Sequence, residues 1–223
     1  MPDAVLGRLR PTDIPARLLA HLGIRRATAV GVSSGGTMAI FLAADYPDLV
    51  DRVVVSCAPA DPVDMSKLKK SPAMLEAEQR WGDYMDSSRA KPKSFWRTHA
   101  DFYSAEPGRF PAHIVQEMYD FGRRTSERNP TAMAAVVADQ ARAIAAMNAV
   151  RVPVLLPWGA ADPLLPPSAA HALARHLTNA SLSVLMVPDA SHYPPYEIPD
   201  RYATILENYL EQVAPVKGTG PDR

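Results

Sequence analysis

Gly31-Val32-Ser33-Ser34-Gly35 satisfies the pattern G-x-S-x-G. An apolar run, Ala27–Val32, leads into it, and a helical stretch from Thr37 to Tyr46, stopped by Pro47, leads out. On a tight strand-to-helix turn of this kind a serine is forced into a strained backbone. Its Oγ then stands clear of the sheet, with the next residue's N–H pointing the same way. Gly31 and Gly35, two residues to either side, are expected to let strand and helix approach without Cβ clashes. The frame selects Ser33, because Ser34 has no glycine two residues before it. Ser34 would lend its backbone N–H to an oxyanion. The plainer reading of Ser33 is a turn serine.

A serine hydroxyl is a poor nucleophile at neutral pH without a base, and the base needs an orienting carboxylate. Both candidates follow strand-like runs, where ligands bind in open α/β sheets. Asp162 lies in Trp-Gly-Ala-Ala-Asp-Pro after Val152–Trp158, and His192 lies in Pro-Asp-Ala-Ser-His-Tyr-Pro-Pro-Tyr-Glu after Leu182–Val187. The chain order Ser33, Asp162, His192 is nucleophile, acid, base. Asp162 also fits as a cap for the turn that follows it, and Asp61, just past the second strand, is a rival acid. His171 and His176 share one helical stretch, but their i, i+5 spacing separates them around the helix, unlike the i, i+4 pair of a zinc site. They read as structural, as do His21, His99 and His113. Cys57 reads as inert core at a strand end.

The elements that must position these residues fall into three regions. Residues 12–61 hold a helix signal, with Thr12 as N-cap and Gly23 as its end, followed by strand, helix and a second strand, Arg52–Cys57. That spacing is a parallel βαβ unit. The third region repeats the pattern with Val152–Trp158, a helix at Ser168–Leu177, Leu182–Val187 and a terminal helix at Asp200–Val213. Between them, residues 62–148 carry no β-branched runs. Helical stretches there run Pro72–Met85, Pro111–Arg123 and Thr131–Met147, and nine of the chain's sixteen aromatic residues lie within 62–148. Such an insert reads as a lid, with Trp81, Trp96, Phe102 and Phe121 as candidate pocket walls. The alternative is that the aromatics form the insert's own core.

Composition narrows the classes. The chain has 223 residues, 24 basic and 24 acidic side chains, and no net charge, against a nucleic-acid-coating or membrane-surface protein. One cysteine excludes an intramolecular disulfide framework and a cysteine-built zinc site. No signal peptide or membrane-spanning stretch is visible, so a cytoplasmic location is expected. The 22 prolines flank apolar runs and mark element boundaries.

LLAHLGIRRATAVGVSSGGTMAIFLAADYPDLVDRVVVSCA, VPVLLPWGAADPLLPP and VPDASHYPPYEIPDRYATILENYL resemble the α/β-hydrolase superfamily, in its lidded esterase, lactonase and haloperoxidase-like branch. The likeness covers roughly residues 12–61 and 150–212, and the insert by position and character. It implies Ser33 as nucleophile, Asp162 as acid and His192 as base. Related dehalogenases and epoxide hydrolases carry aspartate at the nucleophile position, so Ser33 argues against those chemistries. Ser191 stands where the family has glycine before the histidine, a change expected to be tolerated. In the family several strands and two helices precede the nucleophile, whereas 32 residues precede Ser33. A His-Gly-type loop normally supplies the second oxyanion donor, and the chain contains no His-Gly dipeptide.

The expected fold is therefore α/β: the C-terminal half of an α/β-hydrolase parallel sheet, strands in consecutive order, helices on both faces and a helical lid. Residues 1–61 and 149–216 would form the partial core, 62–148 the cap and 217–223 a frayed tail. The expected function is serine hydrolysis of an ester, lactone or similar acyl bond of a small apolar substrate, with no cofactor and no metal. Acyl transfer or perhydrolysis on the same triad is one alternative; a non-catalytic remnant is another. The short N-terminal part leads to the expectation of a truncated or mis-started hydrolase, weak or inactive, with Ala27–Val32 as an exposed edge open to self-association.

Overall fold

The computed structural model describes residues 10–59, 91–124 and 139–214, together with Gln79. Helix α1 (Asp13–His21) leads to β1 (Ala27–Val32), α2 (Ser34–Asp45) and β2 (Val50–Ser56). Helices α3 (Lys93–Phe102), α4 (Ala112–Arg124) and α5 (Gln140–Ala149) follow. The chain ends in β3 (Val154–Gly159), α6 (Pro167–His176), β4 (Leu182–Val187), α7 (Pro194–Glu197) and α8 (Pro199–Gln212).

The four strands form one parallel sheet in the order β1-β2-β3-β4, as the two strand-helix-strand units require. Side chains alternate across it. Val53, Val55, Val154 and Leu156 join Ile40, Phe41, Met147 and Leu173 in the main core, beneath α2, α5 and α6. Val54 and Leu155 point the other way, onto Tyr209 of α8. A buried hydrogen bond between Ser56 Oγ and Tyr202 OH, 2.9 Å, pins α8 to β2. Nothing among the described residues pairs with the outer edge of β1, and Val30 there is 50% exposed.

Thr12 does not cap α1. Its backbone is already helical, and its hydroxyl instead donates to Asp45 Oδ2 at 2.6 Å. Asp45 also receives Arg142 of α5 at 3.1 Å, so one carboxylate ties the start of α1, the end of α2 and α5 together. Gly23, at φ 71°, ends α1 as expected.

The middle region differs in detail from its sequence reading. Helix α3 has no counterpart there. Helix α5, expected within the lid, buries Ala143, Ala146 and Met147 in the main core. Helices α3 and α4 share a separate small core of Ala100, Phe110 and Val115. The stretch Pro72–Met85, Trp81 included, lies outside the described residues. Among those described, no helix is long and apolar enough to cross a membrane.

The close approach of strand and helix rests on Gly31 and Gly36, not on Gly35. A Cβ on Gly31 would overlap the Gly35 carbonyl, so that glycine is obligatory. A Cβ on Gly35 would meet nothing within 4 Å; the second close approach is at Gly36, where it would sit 2.7 Å from Val55 Cγ1. Gly31→Ala is therefore expected to destabilise by about 3 kcal/mol or more through forced overlap. Gly35→Ala should stay within about 0.5 kcal/mol of the parent or exceed it, since alanine favours helix. Urea unfolding of the two variants side by side measures the contrast.

Candidate active site

Ser33 sits where β1 turns into α2, at φ 55° and ψ −129°, a conformation costing a non-glycine residue about 1–3 kcal/mol. Three hydrogen bonds hold it there. Ser33 N–H donates to the Ser56 carbonyl at 2.9 Å, and the Ser33 carbonyl accepts from Gly36 N and Thr37 N at 2.9 and 3.2 Å. Ser34 opens α2, so its N–H is among the helix's first donors, which lack partners within the helix and carry the positive end of its dipole.

Asp162 and His192 meet at the same edge of the sheet. Asp162 Oδ2 lies 2.8 Å from His192 Nδ1, with Asp162 5% and His192 1% exposed. The other carboxylate oxygen, Oδ1, accepts from Leu164 N and Leu165 N at 2.8 and 2.9 Å. Turn cap and imidazole partner are therefore the same side chain, one oxygen to each task.

The two loops are joined by their backbones. Ala160 N donates to the Val187 carbonyl and Ala161 N to the Ala190 carbonyl, at 3.0 and 2.9 Å. A Cβ on Gly159 would overlap the Ser191 carbonyl oxygen, so β3 must end in glycine for the loops to come this close. Ser191 is accommodated because its hydroxyl is used, donating to the Ala161 carbonyl at 3.3 Å.

Cys57 follows β2 with φ 49° and is fully buried, its Sγ donating to the Ser191 carbonyl at 3.6 Å. Ligand-type atoms of Cys57, Asp162 and His192 lie within 4.8 Å of one another, the one such trio among the described residues. His171 and His176 do not belong to it. Burial first, then the Asp162 charge, push the Cys57 thiol up, so it stays protonated beside the carboxylate. A protonated thiol is neither nucleophile nor good metal ligand.

The pocket residues are placed less simply. Tyr103, at the end of α3, reaches the imidazole: its ring centroid is 5.1 Å from that of His192, and its carbonyl accepts from His192 N at 3.2 Å. Tyr193 packs edge-on against the imidazole at 4.8 Å and against Tyr103 at 5.6 Å. Phe102 packs edge-on against Tyr103, and Trp96 packs against Gly122, Phe95 and His99. Phe121 is 60% exposed, and with Ile114, Met118, Tyr196 and four charged side chains of α4 it lines an open cleft of about 620 Å³. Trp81 and Asp61 lie outside the described residues. Sequence reasoning passed over Tyr103, Tyr193 and Glu197; the run of aromatic residues was the available signal for the first two.

A family model for the alpha/beta hydrolase fold matches residues 12–199, and the chain belongs to that family. It is 26% identical over 202 residues to 3-oxoadipate enol-lactonase 2 of Acinetobacter baylyi, covering 90% of this chain and 69% of the lactonase. A 45-residue stretch, 20% of this chain and 12% of the relative, is 49% identical to homoserine O-acetyltransferase of Thermus thermophilus. The structure superposes on a meta-cleavage product hydrolase from Pseudomonas fluorescens with a TM-score of 0.64 at 16% identity. That match covers 90% of this chain and 70% of the other, a likeness of fold.

His99, packed between Phe95 and Tyr103 on α3, is left structural by its sequence pattern but lies within electrostatic reach of His192. Burial, then the His192 and Lys91 charges, lower its pKa from 6.5 to about 4. Below pH 6.5 the unfolded chain therefore takes up a proton that the folded one refuses, so stability falls as pH drops from 6.5 toward 4. The loss should reach about 3 kcal/mol. Urea midpoints measured across that window should show the slope, and His99→Gln should flatten it.

Proposed function

We propose that this chain is a serine hydrolase that cleaves an ester, lactone or similar acyl bond of a small apolar substrate through an acyl-enzyme on Ser33. The observation carrying the reading is the buried 2.8 Å contact between His192 Nδ1 and Asp162 Oδ2, at the sheet edge where Ser33 takes its strained turn. With Nδ1 engaged by Asp162, Nε2 is the nitrogen available to take the Ser33 proton. Ser33 Oγ makes no hydrogen bond among the described residues, and such contacts commonly tighten when substrate binds.

In this mechanism Ser33 Oγ attacks the acyl carbon while His192 removes its proton, and the oxyanion faces the Ser34 N–H. The imidazolium, held by Asp162, gives that proton to the leaving alkoxide. Water, deprotonated by the same imidazole, then releases the acid and restores Ser33. Tyr103 and Tyr193 give the imidazole aromatic neighbours suited to an apolar acyl group.

Acyl transfer to an alcohol is the second reading. It draws on the 49% identical stretch shared with homoserine O-acetyltransferase and differs only in what resolves the acyl-enzyme.

A fluorophosphonate probe is expected to label the protein at Ser33, with no labelling of Ser33→Ala. Hydrolysis of p-nitrophenyl acetate should fall by at least about 10³-fold in Ser33→Ala and in His192→Gln. Unchanged labelling in Ser33→Ala would overturn the assignment. Ester formed from added homoserine, at the expense of free acid, would favour transfer.

A further inference from the structure

Glu197 is a 7% exposed carboxylate at the end of α7, five residues beyond His192, and it has no part in the mechanism above. Its Oε1 accepts from Ser191 N at 3.0 Å and from Tyr193 N at 3.4 Å, the two amides that flank His192. Its Oε2 turns the other way, accepting from Ala105 N at 2.8 Å and from Ser104 Oγ at 3.3 Å, in the turn that follows α3. The remaining amide of the triplet, His192 N, donates to the Tyr103 carbonyl of that same turn. Every backbone N–H from 191 to 193 is thus held either by one carboxylate or by the insert.

We infer that Glu197 is a positioning residue that clamps the backbone around His192 to the 103–105 turn of the helical insert, so that the insert and the imidazole move as one body. The alternative is a buried acid that merely fills space. Four donors converge on it from two segments nearly ninety residues apart in the chain, and a space-filling group needs none of them. Burial raises the carboxyl above its ordinary value while the amides of Ala105, Ser191 and Tyr193 pull it back, the pattern of a charge kept in place by its donors. A substrate that presses on α3 would shift Tyr103 and, through this clamp, the ring of His192. Reach between Nε2 and Ser33 Oγ would then respond to occupancy of the insert.

The inference rests on the serine-hydrolase reading for its catalytic consequence, though not for the clamp itself, and two measurements separate them. The first is the rate of fluorophosphonate labelling at Ser33 in the parent, Glu197→Gln and Glu197→Ala, with thermal unfolding recorded alongside. Glutamine keeps one carbonyl acceptor and can serve only one end of the clamp. It should label about 10–100-fold more slowly, because an ångström of misplacement costs about that much, and alanine more slowly still. On p-nitrophenyl acetate the loss should appear in kcat with KM little changed. A folded Glu197→Gln that labels at the parent rate would overturn the inference. The second measurement is amide hydrogen exchange at Ala105, Ser191 and Tyr193, which needs no activity. All three should lose protection together in Glu197→Ala. If Ala105 stays protected while Ser191 and Tyr193 open, the coupling to the insert is wrong. Should the parent itself fail to label, the hydrolase reading falls, and the exchange result still decides the clamp.

Discussion

A parallel sheet brings all its strand C-termini to one edge, and this protein depends on how closely the segments leaving its four strands approach there. Ser33 follows β1, Cys57 follows β2, Asp162 lies three residues past β3, and His192 five past β4. The approach is limited by backbone volume. At Gly31 and at Gly159 a single added carbon would collide with a carbonyl oxygen of the neighbouring segment. Glycine at these positions lets the β1–α2 turn tighten around Ser33 and lets the Asp162 and His192 loops share hydrogen bonds. Without that closeness the 2.8 Å contact could not form, whatever side chains the loops carried.

Closeness has an electrostatic cost, and the arrangement limits it. A buried carboxylate is tolerable only when its lone pairs are occupied. Asp162 spends Oδ1 on two amides and Oδ2 on the imidazole. Cys57, beside this carboxylate, is kept neutral by the same burial and adds no charge of its own. His99, on the insert side, is likewise held neutral near pH 7, which spares His192 a competing cation.

What could be read from the sequence was whatever is encoded locally. G-x-S-x-G lies within five residues, and the strand-helix-strand rhythm calls for parallel strands, which the sheet places in consecutive order. Asp162 and His192 could be picked out because each follows a recognisable strand. The misses have physical reasons. Helix α3, KSFWRTHADF, has Pro92 as its N-cap residue with no side-chain cap and is rich in aromatic and polar residues, so it exists through packing on α4 rather than through propensity. Thr12 looked like a cap because nothing in the sequence announces that Asp45, on another helix, will take its hydroxyl. Glu197 carries no local signature, and its four donors become visible only once residues 104–105 and 191–193 are brought together.

The pairing of the sheet is uneven along its width. β1 and β2 pair from Ala27–Val50 to Val32–Ser56, with one register shift between Ala27 and Thr28, and β3 and β4 pair from Val154–Leu182 to Gly159–Val187. Between those halves, β2 and β3 pair only at Val53–Val154 and Val54–Leu155. Each half is a sequence-local unit that closes over a short loop, while the central seam joins segments separated by the whole insert. Loop-closure entropy then sets an order of assembly, with the two βα halves as separate cooperative units and the seam as the last junction to form. Ser33 belongs to one half and Asp162 and His192 to the other, so the two sides of the candidate site form separately and come together only when the seam closes.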